Sequence, residues 1–269
     1  MKENNSGNIP FYIAMAVFFI CAILGLTYML GNSESDRGTF GDMFGFANAL
    51  FTGVSVVGLI ATILLQRKDL NLQKKELAKQ STSLYIQNFE NTFFQMLSLF
   101  NSIIASNELN RPGVIIRGRK VFKTIREYND GELDRYAKSS EFIEDFLEEG
   151  IELESRNNAY YLKKEDLVNI YNITYSRYGD ILGHYFRTYY HIIKLIDRTK
   201  KINKKQYISI ARAQLSNSEQ ILLFFNCLHP NGIEKFKPLV EKYHLLHNID
   251  ATLLQSEKFL GFYSDTAYN

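Results

Sequence analysis

Two long apolar stretches in the first quarter of the chain constrain its fold more than any other feature. Phe11–Leu30 reads FYIAMAVFFICAILGLTYML and Phe44–Leu65 reads FGFANALFTGVSVVGLIATILL. Each matches the 20 or so residues a helix needs to cross a hydrocarbon core roughly 30 Å thick. Backbone groups in lipid must be satisfied within the segment, so a helix is the expected conformation of both. The second stretch is softer, with Asn48 near its start and Gly53 and Gly58 inside, and small residues are common where spanning helices touch. The first is too long for the apolar region of a signal peptide, and no small-x-small cleavage site follows it.

Charge sets the expected orientation. Lys2 precedes the first stretch; Gly31–Met43 between the two holds Glu34, Asp36 and Asp42 with Arg37 as its one cation; Arg67, Lys68, Lys74, Lys75 and Lys79 follow the second. Positive residues stay on the cytoplasmic side, so both termini are expected there. The connecting loop is too short to fold alone. The chemistry is therefore expected in the roughly 200 residues after the second stretch, enough to bury one sizeable core.

Formal charge is +2 over 269 residues. Residues 1–65 hold two cations and four anions, which leaves +4 on the rest, much of it beside the membrane, where anionic headgroups attract it. Nucleic acid is thus only weakly indicated. Cys21 and Cys227 are the two cysteines, and they offer neither a disulfide framework nor metal-ligand spacing.

Beyond the second stretch the apolar pattern narrows to a seven-residue repeat. Ile63, Leu70, Leu77 and Leu84 recur at one position, with Gln66, Gln73, Gln80 and Gln87 three residues later. In a coiled coil these are the a and d positions, where polar residues lower stability and select register and partner number. Residues 66–90 are read as a self-association stalk carried by Leu70, Gln73, Leu77, Gln80, Leu84 and Gln87. The alternative is a continuous helix whose leucines dock on the remainder of the domain.

Residues 91–269 are expected to be nearly all helix. Ile86, Phe89, Phe93, Phe94, Met96, Leu97 and Phe100 recur at helical spacing. A break is expected over Asn107–Gly113, marked by Pro112. Val121–Tyr128 and Glu132–Leu147 read as two helices separated by the Asn129-Asp130-Gly131 turn. Asn157–Lys163 reads as a linker, Lys164–Asp197 as a long helix and Asn203–Leu228 as another, closed by His229-Pro230-Asn231-Gly232. Pro238 suits the first turn of a helix running to His247. The predicted class is all-α: an anchor at 1–65 with two transmembrane helices, a coiled-coil-like stalk at 66–90, and a cytoplasmic helical domain at 91–269.

Polar residues that stand out lie in YGDILGHYFRTYYHIIKLID, Tyr178–Asp197. His184, Arg187 and His191 share one helical face and are bordered by Tyr185 and other aromatics, a grouping able to bind a phosphate or an acidic partner. A structural reading stands beside this one: the histidines are satisfied in the interior and Arg187 pairs with a carboxylate such as Glu219. Arg177 and His184, with six residues between, also meet the loose Arg-x(4–6)-His pattern of HEPN-type ribonucleases. In that pattern histidine moves a proton and arginine stabilises a phosphorane without metal. Arg212, Gln214, Ser218, Glu219 and Asn226 form a second polar seam, read as a helix-to-helix hydrogen-bond network. No phosphate loop, metal cluster or nucleophile elbow is present in the sequence, so no metal or cofactor is expected.

The order of motifs resembles a known family. GTFGDMFGFANALFTG (38–53), TILLQRKDLNLQKKEL (62–77), QNFENTFFQML (87–97), LGHYFRTYYHIIKLID (182–197), ARAQLSNSEQILLFFNCL (211–228) and KFKPLVEKYHLL (235–246) resemble the phage abortive infection proteins of the AbiC-like class. The resemblance implies bacterial antiviral defence from the inner membrane, with no assigned catalytic residues. Two mechanisms fit. In the first, oligomerisation of stalk and spans makes the bilayer leak while the cytoplasmic domain senses a phage product or an operon-encoded partner. In the second, the chain is a membrane-tethered HEPN-like ribonuclease using Arg177 and His184. A scaffold that recruits a separate toxin is a third arrangement.

Overall fold

A computed structural model describes residues 18–23, 25, 28–29, 37–139, 142–143 and 158–269. Helix α1 (Arg37–Ser106) leads through a short hairpin, β1 (Glu108–Arg111) and β2 (Val114–Arg117), into α2 (Arg119–Ala137). A 3-10 turn at Asn158–Tyr161 precedes α3 (Lys164–Arg198), α4 (Lys204–Arg212), α5 (Asn217–Leu228), α6 (Pro230–Ile233) and α7 (Lys237–Lys242), and three further 3-10 turns close the chain. The chain divides into two compact units, Met1–Ser81 and Thr82–Asn269.

In the first unit, α1 contains the one stretch among the described residues that is long and apolar enough to cross a membrane. Val54, Val57, Leu64 and Leu65 are each more than 55% exposed, an apolar sheath that water does not tolerate on an isolated helix. The hydroxyls of Thr52 and Thr62 donate to the carbonyls of Asn48 and Gly58 at 2.8 Å, so these two side chains are satisfied within the helix. The other apolar stretch, Phe11–Leu30, lies largely outside the described residues. Residues 18–23 of it are helical, and Ile20 and Ile23 border the same apolar cavity as Phe44, Ala47 and Phe51. Helix α1 already begins at Arg37, so the second half of the expected connecting loop is helical. The stalk is part of α1, with Leu70, Gln73, Leu77 and Gln80 exposed in this unit and Leu84 and Gln87 exposed in the second.

In the second unit the apolar spacing of α1 becomes a buried face. Phe89, Phe93, Leu97, Phe100 and Ile104 are buried at helical intervals. Phe100 stacks between Tyr185 and Tyr189 of α3, with centroids at 4.8 and 5.4 Å. Tyr207 of α4 meets Phe89 edge-on at 4.8 Å and donates its hydroxyl to Glu90 at 2.6 Å. That hydrogen bond, followed by burial, pushes the Tyr207 phenol up to about 12. Helix α3 is the central element: α2, α4 and α5 all pack against it. Large buried side chains of this kind contribute about 1.5–3 kcal/mol each.

The described fold is mostly helical and corrects the sequence reading in four places. The break after α1 is an antiparallel hairpin with Leu109 opposite Ile116. Pro112-Gly113 turns it, Gly113 supplying φ +79°, and Leu109 and Ile116 pack on the core. Second, Asn129-Asp130-Gly131 is not a turn but the middle of α2. Asn129 is fully buried and accepts from Thr174 Oγ1 at 3.0 Å, while Asp130 pairs with Arg126 one helical turn earlier. Tertiary packing overrides the turn tendency of those residues. Third, Asn203–Leu228 is two helices, because Ser216 and Glu219 start a new one: the Glu219 carboxylate accepts the Ser216 N–H at 2.6 Å. Last, α7 ends at Lys242 rather than His247, and His244 lies just beyond it at φ +51°.

Candidate functional site: a basic, aromatic cleft

The cleft is built on a kinked helix. Tyr178 leaves helical geometry inside α3, at φ −122° and ψ 18°, and the helix beyond it carries Gly183, Phe186, Arg187, Tyr190 and His191 along one side of a cavity of about 280 Å³. Asn226, at the end of α5, and Asn231, Lys235 and Phe236, from α6 and the residues after it, form the other side. Tyr175, one turn before the kink, closes the third wall.

Tyr175 owes its position to two glycines. Its ring lies along α3 over Gly179 and its hydroxyl over Gly183: a Cβ at Gly183 would sit 2.8 Å from that hydroxyl, and one at Gly179 would sit 3.2 Å from the ring. The same ring stacks on His229 at 5.5 Å with planes 25° apart. His229 is buried and caps α6, its Nδ1 accepting the Asn231 N–H at 3.3 Å and its Nε2 facing Asn172 Oδ1 at 3.3 Å. Burial lowers the His229 pKa, which favours the neutral ring that this cap requires.

Three basic side chains face the cleft: Arg187 and His191, one turn apart on α3, and Lys235 opposite. All three are exposed, and among the described residues none of them is in an ion pair. Tyr190 packs edge-on against Phe236 at 5.5 Å and against His191 at 5.2 Å. Asn226 is 4% exposed, and its Oδ1 accepts from Tyr171 at 3.4 Å. The cleft therefore combines basic side chains, aromatic faces and amides in a small space, a combination suited to an anionic ligand with a flat apolar part.

Not all of the sequence-predicted residues meet there. Arg187 and His191 line the cleft; His184 is exposed on α3 but is not part of the lining. Tyr185 is fully buried between Phe100 and Phe122, with centroids at 4.8 and 4.4 Å, and belongs to the core. Arg177 lies with its guanidinium over the Tyr128 ring at 4.9 Å and near Tyr178 at 5.7 Å. Among the described residues no hydrogen bond or ring contact joins it to His184, and the kink at Tyr178 falls between them. The expected pairing of Arg187 with Glu219 is replaced by another. Glu219 is fully buried and takes Arg119 from the start of α2 at 2.5 Å, and Arg119 also donates to the Gln214 carbonyl at 2.8 Å. Asn226, assigned to a structural seam, turns out to line the cleft as well. Tyr175, Asn231, Lys235 and Phe236 were not anticipated there; the one local signal for Tyr175 is its spacing ahead of Gly179 and Gly183, four and eight residues on. Among the described residues no group of His, Cys, Asp or Glu is placed to hold a metal ion.

A family model described as Putative phage abortive infection protein matches residues 177–253. That segment contains every lining residue of the cleft except Tyr175. No curated protein matches the chain, and no solved structure does.

Proposed function

We propose, starting from the match of residues 177–253 to the phage abortive infection family, that this chain is a membrane-anchored antiphage defence protein whose helical C-terminal domain senses infection through the Arg187–His191 cleft. The observation that carries the reading is the coincidence of the matched segment with the lining of that cleft. The apolar, unburied segment of α1 supports an anchor in the bacterial inner membrane, and the basic run from Arg67 to Lys79 supports a cytoplasmic location for the C-terminal domain. The exposed leucines at 70, 77 and 84 support self-association through the stalk. In this scheme ligand capture in the cleft changes how copies of the chain gather in the membrane, and the bilayer loses its barrier before progeny are released.

The test is phage protection in cells carrying the full chain, a chain lacking residues 1–65, or the Arg187→Ala/His191→Ala variant, with a potential-sensitive dye followed through infection. The full chain is expected to protect and to depolarise the membrane before lysis, and both variants to do neither. Protection by the detached chain would overturn the membrane effector. The tethered-ribonuclease alternative makes the opposite forecast: RNA is cleaved in infected cells, and His184→Ala abolishes both cleavage and protection.

A further inference from the structure

We infer that the cleft is a nucleotide site, taking a nucleoside monophosphate with its phosphate between Arg187 and Lys235 and its base against Tyr190. This deepens the sensing role proposed above and rests on it.

Three features of the cleft select this class of ligand. The first is charge on both walls. Arg187 and His191 project from one helix and Lys235 from the segment opposite, so a phosphate entering between them is met from two sides. Guanidinium has the planar fork that matches phosphate oxygens, and the lysine ammonium adds a point charge. Among the described residues no carboxylate lines the cavity, so the basic groups have no built-in competitor there.

The second is aromatic surface beside that charge. Tyr175 and Tyr190, both part-exposed, border the cavity over the buried rings of Phe186 and Phe236, and an acidic peptide has little use for such faces. A nucleobase would: stacking of a base on an aromatic face contributes about 1–3 kcal/mol and tolerates any base. The third is the pair of amides. Asn226 accepts from Tyr171 through Oδ1 and sets its amide N–H2 against Cys227, leaving at most one N–H for an acceptor on a base edge, and exposed Asn231 can donate or accept. The volume, about 280 Å³, lies just below the range of about 300 to 1,000 Å³ usual for ligand pockets. It suits one nucleotide and not a polynucleotide strand or a folded peptide.

The test is calorimetric titration of the full chain, held in detergent micelles, with each of the four ribonucleoside 5′-monophosphates, with the corresponding nucleosides and with inorganic phosphate. At least one monophosphate is expected to bind tenfold or more tightly than both its nucleoside and inorganic phosphate. Arg187→Ala and Lys235→Ala are each expected to weaken it at least tenfold at an unchanged melting temperature, since both side chains are exposed. Tyr190→Ala is expected to reduce nucleotide affinity while leaving phosphate binding unchanged. The nucleotide assignment is overturned if no monophosphate outbinds inorganic phosphate, or if the Arg187→Ala/Lys235→Ala double variant binds as the parent does. Phage protection by the same variants separates the two readings. If the parent chain binds no nucleotide and the variants still lose protection, this inference fails and the defence role stands. If the parent chain binds a nucleotide and the double variant, which does not, still protects in full, the sensing role of the cleft fails.

Discussion

Arg119 and Glu219 stand 100 positions apart in the chain and meet at 2.5 Å, a partly exposed guanidinium closing over a carboxylate with no solvent exposure. The same carboxylate accepts the N–H of Ser216, the residue that caps α5, and the same arginine donates to the carbonyl of Gln214. One ion pair thus ties the start of α2 to the break between α4 and α5. Removing Arg119 leaves the buried Glu219 carboxylate without its cationic partner, a change that costs about 1–3 kcal/mol or more for an under-satisfied buried group. Arg119→Ala is expected to lower the urea midpoint accordingly, and Glu219→Gln by less, because the amide oxygen keeps the cap. Equal, negligible shifts would show that the pair does not hold the junction.

Phe100 and Phe94 lie about 120° apart around one helix. Phe100 has no exposure and stacks on two tyrosines of α3, whereas Phe94 is 51% exposed. Phe100→Ala is expected to destabilise the C-terminal unit by about 3–5 kcal/mol, and Phe94→Ala by under about 0.5 kcal/mol. Thermal unfolding followed by near-ultraviolet circular dichroism would report the contrast.

Gly131 lies mid-helix with no positive φ and nothing within 4 Å of the place a Cβ would occupy. Gly131→Ala is therefore expected to stabilise the protein by about 0.5–1 kcal/mol through helix propensity. Asn129→Ala, two residues away, removes the buried acceptor of Thr174 and is expected to destabilise by about 1–3 kcal/mol. Were Asn129-Asp130-Gly131 a turn, the alanine at 131 would harm the fold, so chemical denaturation of this one variant decides the matter.

His229 gives stability a pH dependence whose sign is set by burial. Its folded pKa lies below the ordinary 6.5, so the unfolded chain binds the proton more readily. Its contribution is complete above pH 6.5 and is lost as pH falls through the folded value. His229→Gln is expected to remove that slope: the stability difference between parent and variant should shrink steadily on acidification below pH 6.5 and be flat from pH 7 to 8.

Long-range order was legible where one periodicity ran unbroken. The apolar recurrence over Lys164–Asp197 forecast α3 to within a residue of its end, and Phe89, Phe93, Leu97 and Phe100 were assigned to a helix whose spacing buries them. Local punctuation misled where a distant residue decided the outcome. Asn129-Asp130-Gly131 has every mark of a turn, yet Thr174 and Arg126 keep it helical. Conversely the join at 213–216 was hidden in a run that reads as continuous helix, although Ser216 with Glu219 three residues later is a start signal. In the cleft, helical spacing correctly put Arg187 and His191 on one face, but spacing within a single helix says nothing of Lys235 and Phe236, which the turn at Pro230 carries across to them. Tyr185 shows the converse: it follows exposed His184 and precedes Arg187 by two in the sequence, yet its ring lies against Phe100 and Phe122.

The contact between Tyr175 and Gly183 means that two positions compete for one oxygen atom's worth of room. An added methyl at 183 collides with the phenol oxygen at 2.8 Å but clears the ring carbon behind it at 3.8 Å. Gly183→Ala alone would lever Tyr175 off His229, whereas Gly183→Ala with Tyr175→Phe would let the ring lie where it does now. Each substitution is thus a suppressor or an offender according to its companion, and a lineage that changes one is under pressure to change the other.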